Sequence, residues 1–462
     1  MQKSVRKSEI ALDGMPAIFS ENFMPQSLSN SFASPTFNQF IDPLYELQQA
    51  AKNQYRCHVV TDEEWVKAGL QRVIGQHDSG CDFVQKRVLR GVMNLTKSNY
   101  FESCKSPRRY KHLKGLSDDF LLHHSQHALK NRSIFDGQFQ INDALKDYHL
   151  YAGDGHFHSA SSHDPRDNKQ RKNAVGHLYA LNLRTQHLSH LALGSDGTNK
   201  KPNDMGVLKR MDVATLRQGA LKGQKVIYIW DRAGIDFQQW YHWKNNNGIY
   251  FISRVKVNMV LEHPLPQEFD RSDQVNAGVL ADELVGNQSG TMVRRITFRI
   301  PETGEVMEFL TTLGKSIAPG VVAQLYFMRW RIEKSFDEIK NKLHETKAWA
   351  MSFDAKRMQA AFIALAYNLS QLLHEKVVED QAHDDPDKPH RDGASDKKRG
   401  KRLEELKCKV GNRGDQLPLL RQVHQRASQL SVKFYRWLES HLHDPSPWRV
   451  ALGRLNLIYA QS

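Results

Sequence analysis

The run "YHLYAGDGH" (Tyr148–His156) marks the point where helical patterns give way to strand patterns. Two runs of the same kind follow it, "GHLYALNLRT" (Gly176–Thr185) and "HLSHLALGS" (His187–Ser195). All three are rich in aromatic and apolar residues and are separated by turn-forming residues, which is typical of consecutive β-strands. They predict a three-stranded meander.

Downstream of this meander the sequence alternates between helix and strand patterns. A helix is predicted over residues 201–221, a buried strand in "KVIYIWDRAG" (Lys225–Gly234), a helix over 235–246 and an extended segment over 249–256. Strand-like pieces then continue over residues 257–315, and two helices follow them. This order predicts an α/β fold with a mixed sheet and a late β-rich insertion.

Shifts in composition divide the chain into seven predicted parts. These are a loosely ordered arm (1–45), a helical DNA-binding domain (46–146), the first part of the core (147–256), the β-rich insertion (257–315), the core helices (316–378), a polar linker (379–402) and a helical C-terminal region (403–462). In the second part, "TDEEWVKAGLQRVIG" predicts a helix with a capping box of Thr61 and Glu64 and an end at Gly75.

The charge of the chain favours a polyanionic partner. There are 65 Lys and Arg against 51 Asp and Glu, which gives a net charge of +14 and a pI of about 9.4. Within "CKSPRRYKHLKG" (Cys104–Gly115), Arg108, Arg109 and Lys111 are candidate contacts to DNA phosphates. A solvated loop face is the alternative interpretation of this basic run.

Cysteine usage and hydropathy exclude several classes of protein. Cys57, Cys81, Cys104 and Cys408 show no CxxC spacing, so neither a cysteine zinc cluster nor a disulfide framework is expected. No apolar run is long enough to span a bilayer, and the first residues do not resemble a secretion signal. These features predict a protein of the reducing cytoplasm that makes no membrane contact.

Two weaker motifs favour structural interpretations. In "HFHSASSHD", His156, His158 and His163 follow each other closely, but no Cys or Glu at helical spacing completes a zinc set, so cleft-lining or surface roles are favoured. The run "TTLGKS" resembles a phosphate loop, but Phe309 stands where that motif requires its first glycine.

Two aspartates end strand-like runs, Asp154 in "LYAGDGH" and Asp231 in "VIYIWDRAG". A carboxylate at the end of a buried strand costs desolvation free energy unless something compensates it. A divalent metal is one such compensation, and a neighbouring arginine such as Arg232 or a helix cap is another. Gly155 is expected to let the backbone turn away sharply after Asp154.

The run "VAQLYFMRWRIEKSFDEIKNKL" (Val322–Leu343) predicts a helix whose charges lie beside its apolar side. At about 100° per residue, one side of it carries an apolar stripe of Leu325, Ile332, Phe336, Ile339 and Leu343. A neighbouring arc of roughly 60° carries Tyr326, Arg329, Glu333 and Lys340. An i,i+4 pair of Arg329 with Glu333 is the simplest explanation of part of this pattern.

If Glu333 lies at the rim of a cleft, it can meet the two aspartates there. Asp154, Asp231 and Glu333 would then offer only oxygen ligands, which suit two Mg²⁺ or Mn²⁺ ions. Such a pair of ions supports in-line attack on a phosphodiester.

The segment "YFMRWRIEKSFDEIK" (Tyr326–Lys340) fits the pattern Y-x2-R-x3-E-x6-K, and "DG" at Asp154 and "DR" at Asp231 precede it in order. With these motifs the chain resembles bacterial insertion-sequence transposases with a DDE site, in the branch named after insertion sequence four. The resemblance covers about residues 147–375. It implies an RNase H-like catalytic core, in which Asp154, Asp231 and Glu333 are the catalytic, metal-binding acids.

The same resemblance implies that Tyr326, Arg329 and Lys340 contact the transposon-end DNA. The implied partners are the double-stranded terminal inverted repeats and the target DNA, with a homodimer in the synaptic complex and a cytoplasmic, nucleoid-associated location in a bacterium. The implied reaction cleaves the ends of the element and transfers the freed 3′-OH to target DNA. Two alternatives stay open, a catalytically inactive DNA-end-binding protein on the same fold and a metal-dependent nuclease without strand transfer.

Overall fold

A computed structural model of the chain contains a nine-stranded mixed sheet covered by helices. It describes residues 34–50, 60–75, 79–89, 96–125, 143–197, 204–220, 222–286, 290–300, 303–384 and 431–460. No helix in this part of the chain combines the length and apolar character that crossing a bilayer requires.

The strands form one sheet in the order β3-β2-β1-β4-β5-β9-β8-β7-β6. They are β1 (Tyr148–His158), β2 (Val175–Asn182), β3 (Leu188–Asp196), β4 (Lys225–Ile229), β5 (Ile249–Arg254), β6 (Glu262–Pro266), β7 (Val279–Gly286), β8 (Met292–Arg299) and β9 (Val306–Thr311). β1, β2 and β3 are antiparallel neighbours, which confirms the predicted meander. β4 is parallel to β1, and β5 is parallel to β4, so the sheet is mixed.

The strands of residues 257–315 extend this same sheet. β9 pairs antiparallel with β5, and β8, β7 and β6 follow outward from it. The predicted β-rich segment is therefore an extension of the central sheet at its β5 edge.

The α-helices of the described residues include α1 (Pro35–Ala50), α2 (Asp62–Ile74), α3 (Gly80–Leu89), α4 (Lys97–Cys104), α5 (Pro107–Ser125), α6 (Asp204–Lys209), α7 (Val213–Leu216), α8 (Phe237–Asn247), α9 (Pro319–Met328), α10 (Trp330–Asn341) and α11 (Phe353–Asp384). Residues 431–440 are helical and are called α12, and α13 is Trp448–Ala460. The α/β class predicted from the sequence is confirmed by this arrangement.

Alternation along the central strands assigns their side chains to two cores. Ala152 of β1 and Ile229 of β4 belong to the larger core, on the side of the sheet that α11 covers. Tyr151 and Tyr228, one position earlier on each strand, belong to the second core, beside α8. Because side chains on a strand alternate between faces, every second residue beyond Ala152 and Ile229 continues on the side of the larger core.

The end signals of α2 are confirmed. Thr61 is its N-cap, the Thr61 side chain accepts from the Glu64 N–H, and the Glu64 side chain accepts from the Thr61 N–H. The helix ends at Gly75 as predicted. Because both signals involve residues within one turn of the helix ends, they can be read without knowing the tertiary structure.

The N-terminal helices share the larger core with α11. The predicted loosely ordered arm ended at residue 45, but residues 35–45 are part of α1, which buries Phe37 and Phe40 completely. Residues 1–33 lie outside the described part. On α2, a Cβ at Gly69 would lie 2.1 Å from the ring of Phe362, so α2 and α11 approach very closely.

Two other predicted elements differ from the structure. The single helix predicted over residues 201–221 is two short helices, because Asp212 caps α7 and interrupts the run; residues 201–203 and 221 are not described. The basic run Cys104–Gly115 is no loop, since most of it lies in α5.

The predicted helix Val322–Leu343 is divided at Arg329. α9 begins at Pro319, which occupies its first turn as expected, and α10 begins at Trp330. The N–H of Arg329 donates to the carbonyl of Tyr326 at 3.0 Å, a three-residue spacing that tightens this turn. The predicted apolar stripe is buried at Leu325, Ile332, Ile339 and Leu343, and Phe336 is partly buried.

The C-terminal part is helical where it is described. α11 extends to Asp384, so the first residues of the predicted linker 379–402 continue this helix. α12 and α13 pack on the larger core through Trp437 and Leu455. The rest of the linker and residues 403–430 lie outside the described residues.

Candidate active site

The register of two parallel strands brings Asp154 and Asp231 together. The pairing of β1 with β4 ends at Ala152 opposite Ile229. Each aspartate lies two residues beyond that last pair, and Asp231 has an extended backbone, φ −71° and ψ −175°. Since adjacent strands are about 4.8 Å apart, the two carboxylates leave neighbouring strands on the same side of the sheet.

The backbone around Asp154 differs from the prediction at Gly155. β1 does not turn there; it continues to His158, and Gly155 pairs with Leu178 of β2. The N–H of Gly155 donates to Oδ1 of Asp154 at 2.8 Å. β1 can continue because it keeps its antiparallel partner β2 after β4 has ended.

The glycine that matters sterically is Gly153. A Cβ at this position would lie 2.5 Å from Cζ2 of the buried Trp230 ring. Trp230 immediately precedes Asp231, so the missing side chain at Gly153 lets the two strands keep their spacing directly beside both aspartates.

Arg329 connects Glu333 to Asp154. Its Nη1 donates to Oδ2 of Asp154 at 2.7 Å, and its Nη2 donates to Oε1 of Glu333 at 2.8 Å. The i,i+4 pair expected from the sequence is therefore present, and the same guanidinium also reaches the sheet. The side chain of Asp154 is 22% exposed and that of Glu333 is 43% exposed. Glu333 therefore lies at the rim, as predicted.

The electrostatics of Asp154 show that the three acids share one environment. Burial raises the pKa of Asp154 to about 6, while Arg329 and the Gly155 N–H act to lower it. The charges of Asp231 and Glu333 also contribute to this rise. Three carboxylates beside one guanidinium leave an excess of negative charge, and their oxygen donors fit a hard divalent cation such as Mg²⁺ or Mn²⁺.

Asp231 also caps the short turn that follows it. Its Oδ1 accepts the N–H of Ala233 at 2.8 Å, at the start of the 3-10 turn Arg232–Gly234. Its carbonyl accepts the hydroxyl of Ser253 at 2.8 Å. The helix-cap alternative is therefore observed, and it fixes the orientation of this carboxylate beside Asp154.

The predicted DNA contacts on α9 and α10 occupy different environments. The ring of Tyr326 is partly buried and packs on Phe309, with 4.8 Å between ring centroids. Arg329 is held between the two carboxylates, whereas Lys340 is exposed on α10. DNA contact by these residues remains a prediction.

The predicted contacts on α5 have internal partners in two cases. Arg108 donates both Nη groups to Asp62, at 2.6 and 2.8 Å, and so ties α5 to the first turn of α2. Arg109 is buried against the ring of Trp65, 4.6 Å from its centroid. Lys111 is exposed. DNA contact by the three residues stays a prediction, and the internal contacts explain why both arginines are needed for packing.

Sequence reasoning missed a group of cations beside Asp231. Arg232, Arg254, Lys256 and Arg295 line a cavity of about 300 Å³ beyond the carboxyl end of β5. Arg295 reaches this cavity from β8, in the extended part of the sheet, and pairs with Glu283 at 2.6 Å. The "DR" dipeptide was the only local signal, because the other three residues converge only when β5, β8 and β9 pair.

The arrangement of strands and acids defines an α/β domain with a candidate phosphodiester-processing site, and comparison with known families agrees. Residues 146–369, just under half of the chain, match the family model described as a transposase DDE domain. The match includes all three acids and supports a DDE transposase family, and with it a nucleic-acid-processing enzyme. A search of curated proteins found no match.

Proposed function

We propose that this protein is a DNA transposase of the branch named after insertion sequence four. It would bind the ends of an insertion sequence, cleave them and transfer the 3′-OH ends to target DNA. Asp154, Asp231 and Glu333 would be the catalytic acids. The observation that carries this proposal is their convergence inside the matched domain, through strand register for the two aspartates and through Arg329 for the glutamate.

The sheet supports an RNase H-like core for this protein. Its first three strands form an antiparallel meander, and β4 and β5 then run parallel to β1. Asp154 lies on the first of these strands and Asp231 just beyond the end of the fourth, and the helix that carries Glu333 packs against β1.

The acids are suited to hold the divalent metal that DDE domains typically use. Asp154, Asp231 and Glu333 would be its ligands, since each offers carboxylate oxygens at one edge of the sheet. Two bound Mg²⁺ or Mn²⁺ ions would activate a water or a 3′-hydroxyl and stabilise the leaving oxygen of the phosphodiester.

The residues around the acids are suited to position DNA. In the free protein Arg329 neutralises part of the carboxylate charge, which keeps Asp154 and Glu333 close together. The cations that line the cavity next to Asp231 offer phosphate contacts, and Lys340 offers one on the other side. Joining two ends requires two such sites, so we include a homodimer on DNA in the proposal.

The test uses the full chain and linear DNA that carries the inverted repeats flanking its coding sequence. With Mg²⁺, the wild type should nick this DNA at the repeat ends, and Glu333→Gln should bind it but not cut it. Equal binding without cutting by both proteins would establish the inactive end-binding alternative instead.

A second reaction distinguishes a transposase from a nuclease. Pre-cut ends with a free 3′-OH are mixed with a supercoiled plasmid, and joined products are counted. A transposase should join them in a Mg²⁺-dependent reaction. Cleavage of intact ends without any joining would favour the nuclease.

A further inference from the structure

A second polar cluster lies deeper along β1, beyond the carboxylates. It consists of four histidines and one glutamate: His156, His158, His177, His190 and Glu345. His158, His177 and Glu345 are the inner trio, in which one ligand atom of each lies within 4.8 Å of the others. The side chains of His158 and Glu345 are 1% and 0% exposed, so this trio is sealed from solvent.

Three of the rings form a chain of contacts that starts at a carbonyl group. Nδ1 of His158 is 3.0 Å from the carbonyl of Ser159, and Nε2 of His158 is 3.1 Å from Nε2 of His177. Nδ1 of His177 is 3.0 Å from Nε2 of His190.

The carbonyl contact sets the tautomer of His158. A carbonyl oxygen only accepts, so Nδ1 of His158 carries the proton and its Nε2 holds a lone pair. This lone pair faces Nε2 of His177 at 3.1 Å. When Nδ1 of His177 donates to Nε2 of His190, the Nε2 of His177 holds a lone pair as well, and a cation between the two Nε2 atoms then removes their repulsion.

The ring of His156 lies beside Glu345. Nε2 of His156 has no hydrogen-bond partner among the described residues, and it lies 3.3 Å from Oε2 of Glu345. A third ring nitrogen, in a side chain that is only 7% exposed, therefore lies beside the carboxylate without a hydrogen bond to it.

We propose that His158, His177 and Glu345 bind one Zn²⁺ ion, with His156 available for the fourth position. Two nitrogen ligands of a tetrahedral zinc site are separated by roughly 3.3 Å, given Zn–N bonds of about 2.0–2.1 Å, and the observed separation of 3.1 Å is close to this. The hydrogen bonds from the outer ring nitrogens fix the tautomers as histidine ligands of zinc require.

This zinc ion would fasten the catalytic helix to the sheet. Glu345 lies just beyond the end of α10, the helix that carries Glu333, while His158 and His177 belong to β1 and β2. Backbone bonds already join this segment to the end of β1: Ser159 donates to Thr346 at 3.0 Å and Ala348 donates to Ser159 at 2.9 Å. Only this consequence rests on the proposed transposase function; zinc binding itself does not.

The experiment measures metal content in the folded full-length protein. Because the trio is buried, the chain is expressed with added Zn²⁺ so that the ion can enter during folding. After desalting, mass spectrometry of the metals should find about one zinc per chain in the wild type, as in a structural zinc site. Asp231→Asn should keep this zinc, which separates the site from the catalytic acids.

Variants of single histidines test whether the zinc is bound at this cluster. His177→Asn should lose the zinc, whereas His163→Asn, which removes an exposed histidine of the same sequence run, should retain it. A folded wild type without zinc, or His177→Asn with as much zinc as the wild type, would overturn the proposal. If His177→Asn does not fold, X-ray absorption of the wild type decides: four nitrogen and oxygen ligands with imidazole scattering support the site, and six oxygen ligands or a sulfur shell reject it.

Discussion

Two clusters on the same face of β1 behave in opposite ways. The outer one, around Asp154, is made of carboxylates, opens toward solvent and has Arg329 as its internal counter-charge. The inner one, around His158 and Glu345, is nitrogen-rich and sealed. The two sites are only a few residues apart on one strand. The outer site is exposed enough to admit a substrate, whereas the inner site is buried and can hold only a structural ion.

The largest effects on cleavage and on zinc content are expected when one ligand of each cluster is replaced. Asp231→Asn should lower DNA cleavage at least about 10³-fold, as loss of one member of a catalytic set does, without changing zinc content. His177→Asn should remove zinc and lower cleavage less. Cleavage assays and metal analysis on the same preparations test both variants.

A surface acid on α10, the helix that carries Glu333, provides the matched control. Asp337→Asn removes an exposed carboxylate of α10 that contacts Asn341, and it should leave both cleavage and zinc unchanged. If Asp231→Asn and His177→Asn lost cleavage to the same extent, or lost zinc to the same extent, the two clusters would not be functionally separate.

The strand that joins the clusters should tolerate no side chain at Gly153. Gly153→Ala places a Cβ 2.5 Å from the Trp230 ring and should lower the free energy of unfolding by about 2–3 kcal/mol through overpacking. Denaturant titration measures this loss. Gly115→Ala in α5, where a Cβ meets nothing within 4 Å, should instead be neutral or stabilise by up to about 1 kcal/mol.

In metal-free buffer the outer cluster should make stability depend on pH. Burial raises the pKa of Asp154 from 3.8 to about 6, so the folded state holds a proton that the unfolded state has released. The free energy of unfolding should therefore fall as pH rises from about 4 to 6, by at most about 3 kcal/mol. Denaturant titrations of the wild type and Asp154→Asn in EDTA give the difference, and an identical slope in the two proteins would refute this assignment.

The smallest effect should come from the hydroxyl that supports Glu345. The Tyr179 hydroxyl donates to Glu345 at 3.0 Å, and Tyr179→Phe should cost about 1 kcal/mol of stability. It should also weaken zinc binding about tenfold, as removal of a supporting hydrogen bond does. Tyr228→Phe removes an equally buried hydroxyl, which donates to Leu216, and should cost similar stability while zinc affinity stays unchanged.

The sequence predicted those elements whose signals are local. The capping box of Thr61 and Glu64 and the stop at Gly75 defined α2, because each signal lies within one turn of the helix end. Alternating aromatic and apolar residues defined β1 to β3. The spacing of Arg329 and Glu333 placed both on one side of a helix and led to the rim position that Glu333 occupies.

Features that depend on strand register could not be predicted in this way. His177 and His190 gave no signal, because they approach His158 only when β1, β2 and β3 pair. Glu345 reaches them from beyond α10, so a search for a nearby ligand in "HFHSASSHD" could not find it. The cations around the cavity next to Asp231 were missed for the same reason.

Two helices were missed for reasons of composition. The Ser-, Asn-, Phe- and Pro-rich composition suggested a loosely ordered arm, although Phe37, Phe40, Ile41 and Leu44 of α1 have helical spacing and are buried. In α5 the density of positive charge suggested an exposed loop. Asp62 and Trp65 of α2 supply partners for two of these arginines, and only the tertiary structure reveals that.

The most direct measurement of the central claim is localised cleavage of the protein backbone by Fe²⁺ bound in place of Mg²⁺. On addition of hydrogen peroxide and ascorbate, hydroxyl radicals formed at the Fe²⁺ cut the chain nearby, and mass spectrometry of the fragments reports the positions. We expect cuts around Asp154, Asp231 and Glu333 together, suppressed by excess Mg²⁺ and lost in Glu333→Gln. Cuts near only one of these three residues, or only around His158, His177 and Glu345, would show that the acids do not share a metal.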